Sequence, residues 1–368
     1  MNMNQNQKYL LDQSYIFGTL IVIQFFMYFM YLRTESYIFL GTYFLISLPL
    51  LMVLLNKAIN QKFFLLLGLI TLILATFGLF SQEFPTLITY YNLLYGISSL
   101  ITAYALFTLR NSETFIKILF WCYTSLILYY FYAFGFSDPD LYNEVLKGSS
   151  RNYLSAIFVI LLALLALSFE KIKKPTPLIY PLVTFICCVG LFGRSGIVFS
   201  LVMLIFIMAR QKNYKLIGVF FATIIVICII KFNTIINFIE LNTNFTNGLS
   251  SERSIFLTEY LTGIMHNNSD FFFGRKLSDC CSWIQSFQNN PHNSFIMGHL
   301  RYGIAHTLLS VGILIYIVLS RNLTLTLFGV VILSRFFVDQ LGLFTPYDTV
   351  LFFLLFIIHS NNTIKKSA

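Results

Sequence analysis

The chain contains little charge. Only 11% of its 368 residues are Asp, Glu, Lys or Arg, and 57% are hydrophobic, whereas soluble domains carry about 25% charged residues. Together with a mean hydropathy of +0.77, this excludes an ordinary soluble protein and indicates one whose solvent is largely lipid. The net charge of +9 does not indicate nucleic-acid binding, because the Lys and Arg residues lie scattered between apolar runs.

Several signatures of chemistry are also missing. The sequence has no P-loop, no GxSxG, no HExxH, no CxxC and no DxD-like pair of carboxylates. Asp138-Pro139-Asp140 comes nearest to the last but is typical of a turn. The six cysteines are too few and too scattered for a disulfide scaffold. Cys280 and Cys281 differ from the other cysteines because they are consecutive residues in a polar stretch. The sequence leaves their oxidation state open.

Long apolar runs are abundant. A helix needs about 20 apolar residues to cross the hydrocarbon core, and about twelve runs approach that length. They predict an all-α integral membrane protein with a single polytopic domain, 1–368. The first run follows a polar start without a small-residue cleavage site, so we expect an uncleaved span. The predicted spans are 14–32, 37–55, 63–80, 87–107, 115–136, 153–169, 178–192, 196–209, 216–231, 303–319, 323–338 and 346–359.

The connections between these runs predict their orientation. Every second connection is rich in lysine, and the positive-inside rule places those connections and both termini in the cytoplasm. The remaining connections then face outward, including a long polar loop between spans nine and ten, 232–302. The lysine-rich set comprises 56–62, 110–117, 170–174, 210–215, 320–321 and 364–366.

The two predicted faces differ in their cations. Seven of the ten arginines fall on the outer side, while lysine predominates on the inner side. Lysine is sufficient for orientation, whereas the planar guanidinium grips a phosphate or carboxylate through two hydrogen bonds. The set therefore indicates an anionic ligand; the alternatives are snorkelling to lipid headgroups or pairing with outer carboxylates such as Glu252 and Asp279. The arginines are Arg33, Arg151, Arg194, Arg253, Arg275, Arg301 and Arg335.

Four of these arginines lie where a ligand at headgroup depth would meet them. Gly193-Arg194-Ser195-Gly196 predicts a tight outer turn between spans seven and eight. Arg151, in Gly148-Ser149-Ser150-Arg151-Asn152, introduces span six, and Arg301 lies two residues before Gly303. Arg253 opens a predicted loop helix, 252–261.

The sequence also predicts two structural features: the packing and capping of this loop helix, and one ion pair. Ile255, Phe256 and Tyr260 share a helical stripe, and Ser250 or Ser251 is placed to cap the helix. Arg335 and Asp339 are four residues apart in span eleven, which favours mutual neutralisation over ligand binding.

All five histidines lie in the second half of the chain. His292 precedes Asn293 at the mouth of a predicted span, and an imidazole there can take the proton of an attacking hydroxyl. The alternative is a loop histidine beside a helix cap formed by Asn293. His299 and His306 are expected to be packed or hydrogen-bonded. His292, His299 and His306 recur every seven residues. This spacing separates neighbouring members of the set by about 10.5 Å along a helix, which is too far for two of them to bind one metal ion.

These features together resemble the superfamily of O-antigen polymerases and ligases. The resemblance lies in about twelve spans, the late outer loop, and His292-Asn293 followed by nine residues and Gly303. The apolar-flanked Gly193-Arg194-Ser195-Gly196 and the order of Arg253, Gly274 and His292-Asn293 are similar too. Gly274 stands alone where related proteins often have Gly-x-Gly. By topology the resemblance covers most of the chain, but by residue only these motifs.

The resemblance implies a GT-C-like fold and a metal-independent, inverting glycosyltransferase that needs no cofactor. Its substrate would be an undecaprenyl-pyrophosphate-linked glycan at the periplasmic face of the bacterial inner membrane, with membrane lipids and a chain-length regulator protein as partners. By this likeness His292 is the general base or acceptor-orienting residue. Arg194 and Arg253 bind the pyrophosphate, with Arg151, Arg301 and Asn293 as further binding candidates.

Three activities remain open. The sequence around Arg151 and the Phe-, Ile- and Asn-rich composition look more like polymerases, which extend lipid-linked repeats, than ligases, which transfer glycan to lipid A core. A lipid-linked-sugar flippase is the competing class, but flippases place charges along a path in mid-membrane. Here the interior spans are nearly free of charge and the polar mass lies in the predicted outer loop, which favours chemistry at one face.

Overall fold

The structure is a computed structural model that describes residues 5–56, 61–147, 149–231, 252–264, 267–287 and 289–367. It is all-helical, with 80% helix and no strand in those ranges. The α-helices are α1 Gln5–Thr34, α2 Tyr37–Asn56, α3 Gln61–Leu79, α4 Thr86–Thr108, α5 Ser112–Phe134, α6 Arg151–Lys171, α7 Ile179–Gly190, α8 Arg194–Arg210, α9 Tyr214–Ile230, α10 Glu252–Leu261, α11 Asn268–Phe273, α12 Ser282–Ser286, α13 Ser294–Val318, α14 Leu323–Val338 and α15 Asp348–Ser367. Short 3₁₀ helices cover Pro139–Glu144 and Leu277–Asp279.

Each predicted apolar run coincides with one helix, α1 to α9 and α13 to α15 in order. Within the described residues, four helices are long and apolar enough to cross a membrane: Ser14–Thr34 within α1, then α5, α6 and α13. The helical membrane character is thereby confirmed, while crossing by all twelve helices stays a prediction. Shorter apolar helices are Tyr37–Val53, Leu65–Leu79, Ile179–Gly190, Tyr214–Thr223 and Leu323–Val338.

Helix α6 lies at the centre of the bundle. All residues from Leu154 to Phe169 are buried, because the helix is apolar around its whole circumference. It packs against α5, α7, α8, α14 and α15. Large apolar side chains elsewhere point away from the protein, among them Ile38, Leu87 and Leu323, each exposed by more than three quarters. Such apolar exposure is what a surface facing lipid requires.

Helix α13 changes direction at Gly303. This glycine has φ 55° and ψ −147°, so the helix consists of two segments. A Cβ at this position would collide with the backbone oxygen of Phe272 at the end of α11. The bundle segment therefore starts where the sequence placed span ten, and the preceding turns of α13 belong to the loop.

The loop packs onto that first segment of α13. Phe256 and Tyr260 of α10 are buried with Ile284 of α12 and Leu300 of α13 in a small separate core. This confirms the loop helix and the inward stripe of Phe256 and Tyr260, with Ile255 at its half-exposed margin. The proposed caps Ser250 and Ser251 lie outside the described residues, as does the first part of the loop, 232–251.

Contacts of Arg275 link separate parts of the loop, and a disulfide constrains one local turn of it. Cys280 and Cys281 form a disulfide between adjacent residues. Arg275 pairs with Asp270 at 3.2 Å and donates to the backbone oxygens of Tyr260 and Thr262. The loop thus has an internal framework of its own.

Candidate active site

The start of α6, the start of α8, the start of α13 and the end of α14 meet beside loop helix α10. The motif predicted as a turn between two spans is instead the N-cap Gly193 and the first turn of α8. Its glycines allow this approach, because a Cβ on Gly193 or Gly196 would collide with the Ser155 hydroxyl of α6. The turn can therefore lie directly against α6. This explains the motif physically, and it brings Ser195 next to the end of α14.

Asp339 is the centre of this arrangement. Its Oδ2 lies 2.7 Å from Nη2 of Arg335 and its Oδ1 lies 3.0 Å from Nη2 of Arg253. The Arg335 side chain is fully buried, the Asp339 side chain is 7% exposed and that of Arg253 is 35% exposed. Two guanidinium groups share one carboxylate, so the three side chains together carry a positive charge.

Arg335 joins the starts of α6 and α8 to this carboxylate. Its Nη1 donates to the Ser195 hydroxyl and its Nη2 to the backbone oxygen of Asn152, each at 2.8 Å. Asn152 and Ser195 directly follow Arg151 and Arg194. A buried charge needs such partners, because an unpaired ion in this environment is very costly.

Ser294 ties the start of α13 to the same place. Its hydroxyl donates to the backbone oxygen of Asp339 at 2.8 Å and accepts from the amides of Leu341 and Gly342 at 3.0 Å. We call Asp339, Arg335, Arg253, Ser195 and Ser294 the Asp339 cluster. Through Ser294, the cluster fixes the chain two residues after His292.

His292 is held against α10. Its ring stacks on Phe256, with centroids 6.3 Å apart and planes inclined by 19°, and it meets the edge of Phe287 at 6.0 Å. Phe256 lies three residues after Arg253, so both side chains occupy neighbouring positions on one face of α10. The loop helix therefore contacts both His292, through Phe256, and Asp339, through Arg253.

The backbone of His292 is strained. Its φ of 46° is left-handed, a conformation that costs a residue with a Cβ about 1–3 kcal/mol. The amide of His292 donates to the Asn290 side chain at 2.8 Å, which helps to hold this turn. Strain of this kind occurs often where a side chain must be aimed for function.

Asn293 is the N-cap of α13. Its Oδ1 accepts from the amides of Phe295 and Ile296 at 2.8 and 3.2 Å. The capping companion that the sequence allowed is thus present, and this oxygen is occupied by the cap. Asn293 orients the start of the helix that carries Ser294.

Arg151 and Arg194 lie next to the Asp339 cluster and differ in their surroundings. Arg194 is the first residue of α8 and its side chain is exposed. Arg151 is the first residue of α6, and its Nη1 pairs with Asp140 at 3.2 Å. Both adjoin residues that bond Arg335, so the structure brings Arg151, Arg194 and Arg253 to the same group of helix ends.

Arg301 has other partners. It is 9% exposed, donates to the Asn92 side chain of α4 at 3.0 Å, and lies 5.3 Å from the ring of Phe84. These contacts tie the loop segment of α13 to α4. Within the described residues, Arg301 therefore contacts α4 and Phe84 and not the Asp339 cluster.

Outer arginines pair with carboxylates in several cases. Of the two carboxylates named from the sequence, the Glu252 side chain lies outside the described residues, and Asp279 takes part in none of the described ion pairs. Asp140, Asp270 and Asp339 are the carboxylates recorded in these ion pairs. The predicted pair of Arg335 and Asp339 is confirmed. The second arginine on Asp339 was missed, because Arg253 lies 86 residues away and no local spacing indicates that contact.

His299 and His306 are packed, as expected. The Tyr260 hydroxyl lies 2.8 Å from Nδ1 of His299, and the backbone oxygen of Phe271 lies 3.0 Å from Nε2. A carbonyl only accepts, so Nε2 carries the proton and the hydroxyl donates to Nδ1. Burial raises the pKa of Tyr260, which keeps this donor protonated. His306 is fully buried against Tyr302 and Phe344.

No protein-family model matches this chain, and neither a curated protein nor a solved structure is significantly similar to it.

Proposed function

We propose that this chain polymerises undecaprenyl-pyrophosphate-linked oligosaccharide repeats into O-antigen or a related surface polysaccharide. The observation that carries the proposal is the meeting of an imidazole and several guanidinium groups at one end of an apolar bundle. His292 stacks on Phe256 of α10, Arg253 lies one helical turn before Phe256, and Arg253 shares Asp339 with the buried Arg335. We place this end at the periplasmic face of a bacterial inner membrane, with twelve spans and both termini cytoplasmic.

The chemistry needs a base and an anion site close together. The acceptor sugar hydroxyl forms a bond to the anomeric carbon of the donor sugar while its proton passes to the His292 ring. The bond from that carbon to the pyrophosphate oxygen breaks, and the pyrophosphate leaves with the electron pair. A single displacement inverts the anomeric configuration.

The arginines supply the electrostatic part. Negative charge grows on the pyrophosphate as the bond breaks, and guanidinium donors held in advance stabilise that charge. Arg253 is held by Asp339 yet remains one third exposed, and Arg194 stands exposed beside the cluster. Arg253 and Arg335 share the single carboxylate of Asp339, so one positive charge is left over for a ligand.

The decisive experiment is deletion of the gene followed by analysis of the surface glycan. Lipid A core capped with a single repeat supports the polymerase. Uncapped core with lipid-linked polymer accumulating would instead indicate an O-antigen ligase, which could use the same base and anion site. Lipid-linked repeats trapped at the inner face would indicate a flippase and contradict the proposal.

A further inference from the structure

A second polar concavity lies at the opposite end of the bundle. Helix α6 begins with Arg151 beside the Asp339 cluster and ends with Lys171, and its 21 residues separate the two ends by about 30 Å. Where α4, α6, α8, α14 and α15 end or begin on that side, they enclose a cleft of about 690 Å³. We call it the basic cleft; nothing in the proposed glycosyl transfer uses it.

The polar lining of the cleft is predominantly cationic. Its ionisable residues are Lys171, Lys173, Lys174, Arg210 and one carboxylate, Glu170, so the lining has a net charge of +3. Arg210 pairs with Glu170. Lys171 donates to the backbone oxygen of Leu109 at 2.9 Å and caps the end of α4.

Lys173 and Lys174 are the two lysines of the lining whose side chains are exposed. Both are exposed and follow the last turn of α6, where Lys173 has φ 54° and the amide of Lys174 bonds the oxygen of Phe169. The C-terminal end of a helix favours positive charge, and this accounts for the two lysines after α6. It does not account for the apolar wall that faces them.

That wall is the feature which selects the ligand. Phe107 of α4 and Phe206 of α8 line the same cleft with partly exposed side chains, and Ile207, Phe328 and Ile357 line it as buried residues. A soluble anion would gain nothing from such a surface, whereas an acyl chain attached to a phosphate would cover it.

The neighbouring surface is also apolar. Leu323 follows Asn322, a residue of the lining, and is 76% exposed; Ile179 begins α7 shortly after the lining residue Thr176 and is 48% exposed. The cleft thus opens beside side chains suited to lipid. Cationic residues at the end of a helical bundle above an apolar wall are the arrangement that binds acidic phospholipids.

We propose that the basic cleft is a binding site for one anionic phospholipid of the adjoining leaflet. Lys173 and Lys174 contact the headgroup phosphate, and the apolar wall receives an acyl chain. This inference does not depend on the glycosyl transfer.

The test uses the purified full-length protein in mild detergent and native mass spectrometry with added phosphatidylglycerol. The variant Lys173→Gln/Lys174→Gln removes two exposed charges. The matched control, Lys212→Gln/Lys215→Gln, removes two exposed charges at the same end of the bundle, outside the lining. We expect the Kd for phosphatidylglycerol to rise about tenfold in the first variant and to stay unchanged in the control.

Phosphatidylcholine with the same acyl chains should bind weakly to the wild-type protein. An equal loss in both double variants would overturn the proposal, because it would assign the effect to the general positive charge of this end. Equal binding of phosphatidylcholine would overturn it too. Displacement of the lipid by glycerol phosphate alone would identify a soluble phosphate ligand instead, and displacement by a polyglutamate peptide an acidic protein segment.

Discussion

Arg253 in the loop and Asp339 after α14 are 86 residues apart in the chain, and their Nη2 and Oδ1 atoms lie 3.0 Å apart. Asp339 binds the buried Arg335 through its other oxygen at 2.7 Å. One carboxylate therefore fixes a loop residue to the bundle. The same loop helix also contacts His292, because Phe256 stacks on the imidazole.

Replacement of the carboxylate tests this link. We expect Asp339→Asn to lower the free energy of unfolding by about 3–5 kcal/mol, because it leaves the buried Arg335 without its counter-ion. The comparison is Asp140→Asn, which breaks a pair with Arg151 whose carboxylate is 78% exposed and should cost about 0–1 kcal/mol. Chemical denaturation in detergent measures both; equal losses would refute a special role for Asp339.

The base is tested by His292→Ala. We expect chain elongation to stop while the protein remains inserted and abundant, because no group would accept the proton of the attacking hydroxyl. The readout is the lipopolysaccharide ladder on a gel, together with the amount of protein in the membrane. His359→Ala, an exposed histidine near the end of α15, is the control and should give a normal ladder. A normal ladder with His292→Ala would rule out catalysis by His292.

Guanidinium geometry is tested by Arg194→Lys. Charge is kept, but the planar fork that grips two phosphate oxygens is lost. We expect turnover to fall by about tenfold, the loss of one good charge-assisted hydrogen bond. Arg321→Lys, at the opposite end of the bundle and exposed, should leave turnover unchanged. Wild-type turnover with the Arg194 variant would contradict pyrophosphate binding by this residue.

The kink in α13 offers a pair of glycine variants in one helix. Gly303→Ala places a Cβ against the backbone of Phe272 at a positive φ and extended ψ that is nearly restricted to glycine, which alone costs about 1–3 kcal/mol. Gly312→Ala meets nothing within 4 Å and should be neutral or stabilising by about 1 kcal/mol. Thermal unfolding and limited proteolysis of the loop distinguish them, and similar behaviour of the two variants would show that the kink is dispensable.

Much of this fold was predictable because lipid imposes simple rules on sequence. Apolar length located every long helix of the described ranges, and helical spacing placed Phe256 and Tyr260 on the buried stripe of α10. Local motifs also indicated Gly193 and Gly196 as special positions, and their missing side chains allow contact with α6. The Asn293 cap was likewise readable from the sequence.

The candidate site was less predictable, because its contacts join distant segments. Periodicity contains no information on the pair of Arg253 with Asp339, nor on the bond from Arg335 to Ser195. Arg301 looked equivalent to the other arginines in sequence, yet its partner is Asn92, 209 residues away. Residue type indicated the anion-binding chemistry, and only tertiary packing sorted the arginines into groups.

The disulfide of Cys280 and Cys281 has a consequence for orientation. Disulfides persist in oxidising compartments and are rare where glutathione keeps thiols reduced, and Cys122, Cys187 and Cys188 remain thiols. The loop is thus expected to fold on the side of the membrane that lacks a reducing buffer. Reactivity of this cystine in intact cells toward an impermeant reductant would report that side without any tag or fusion.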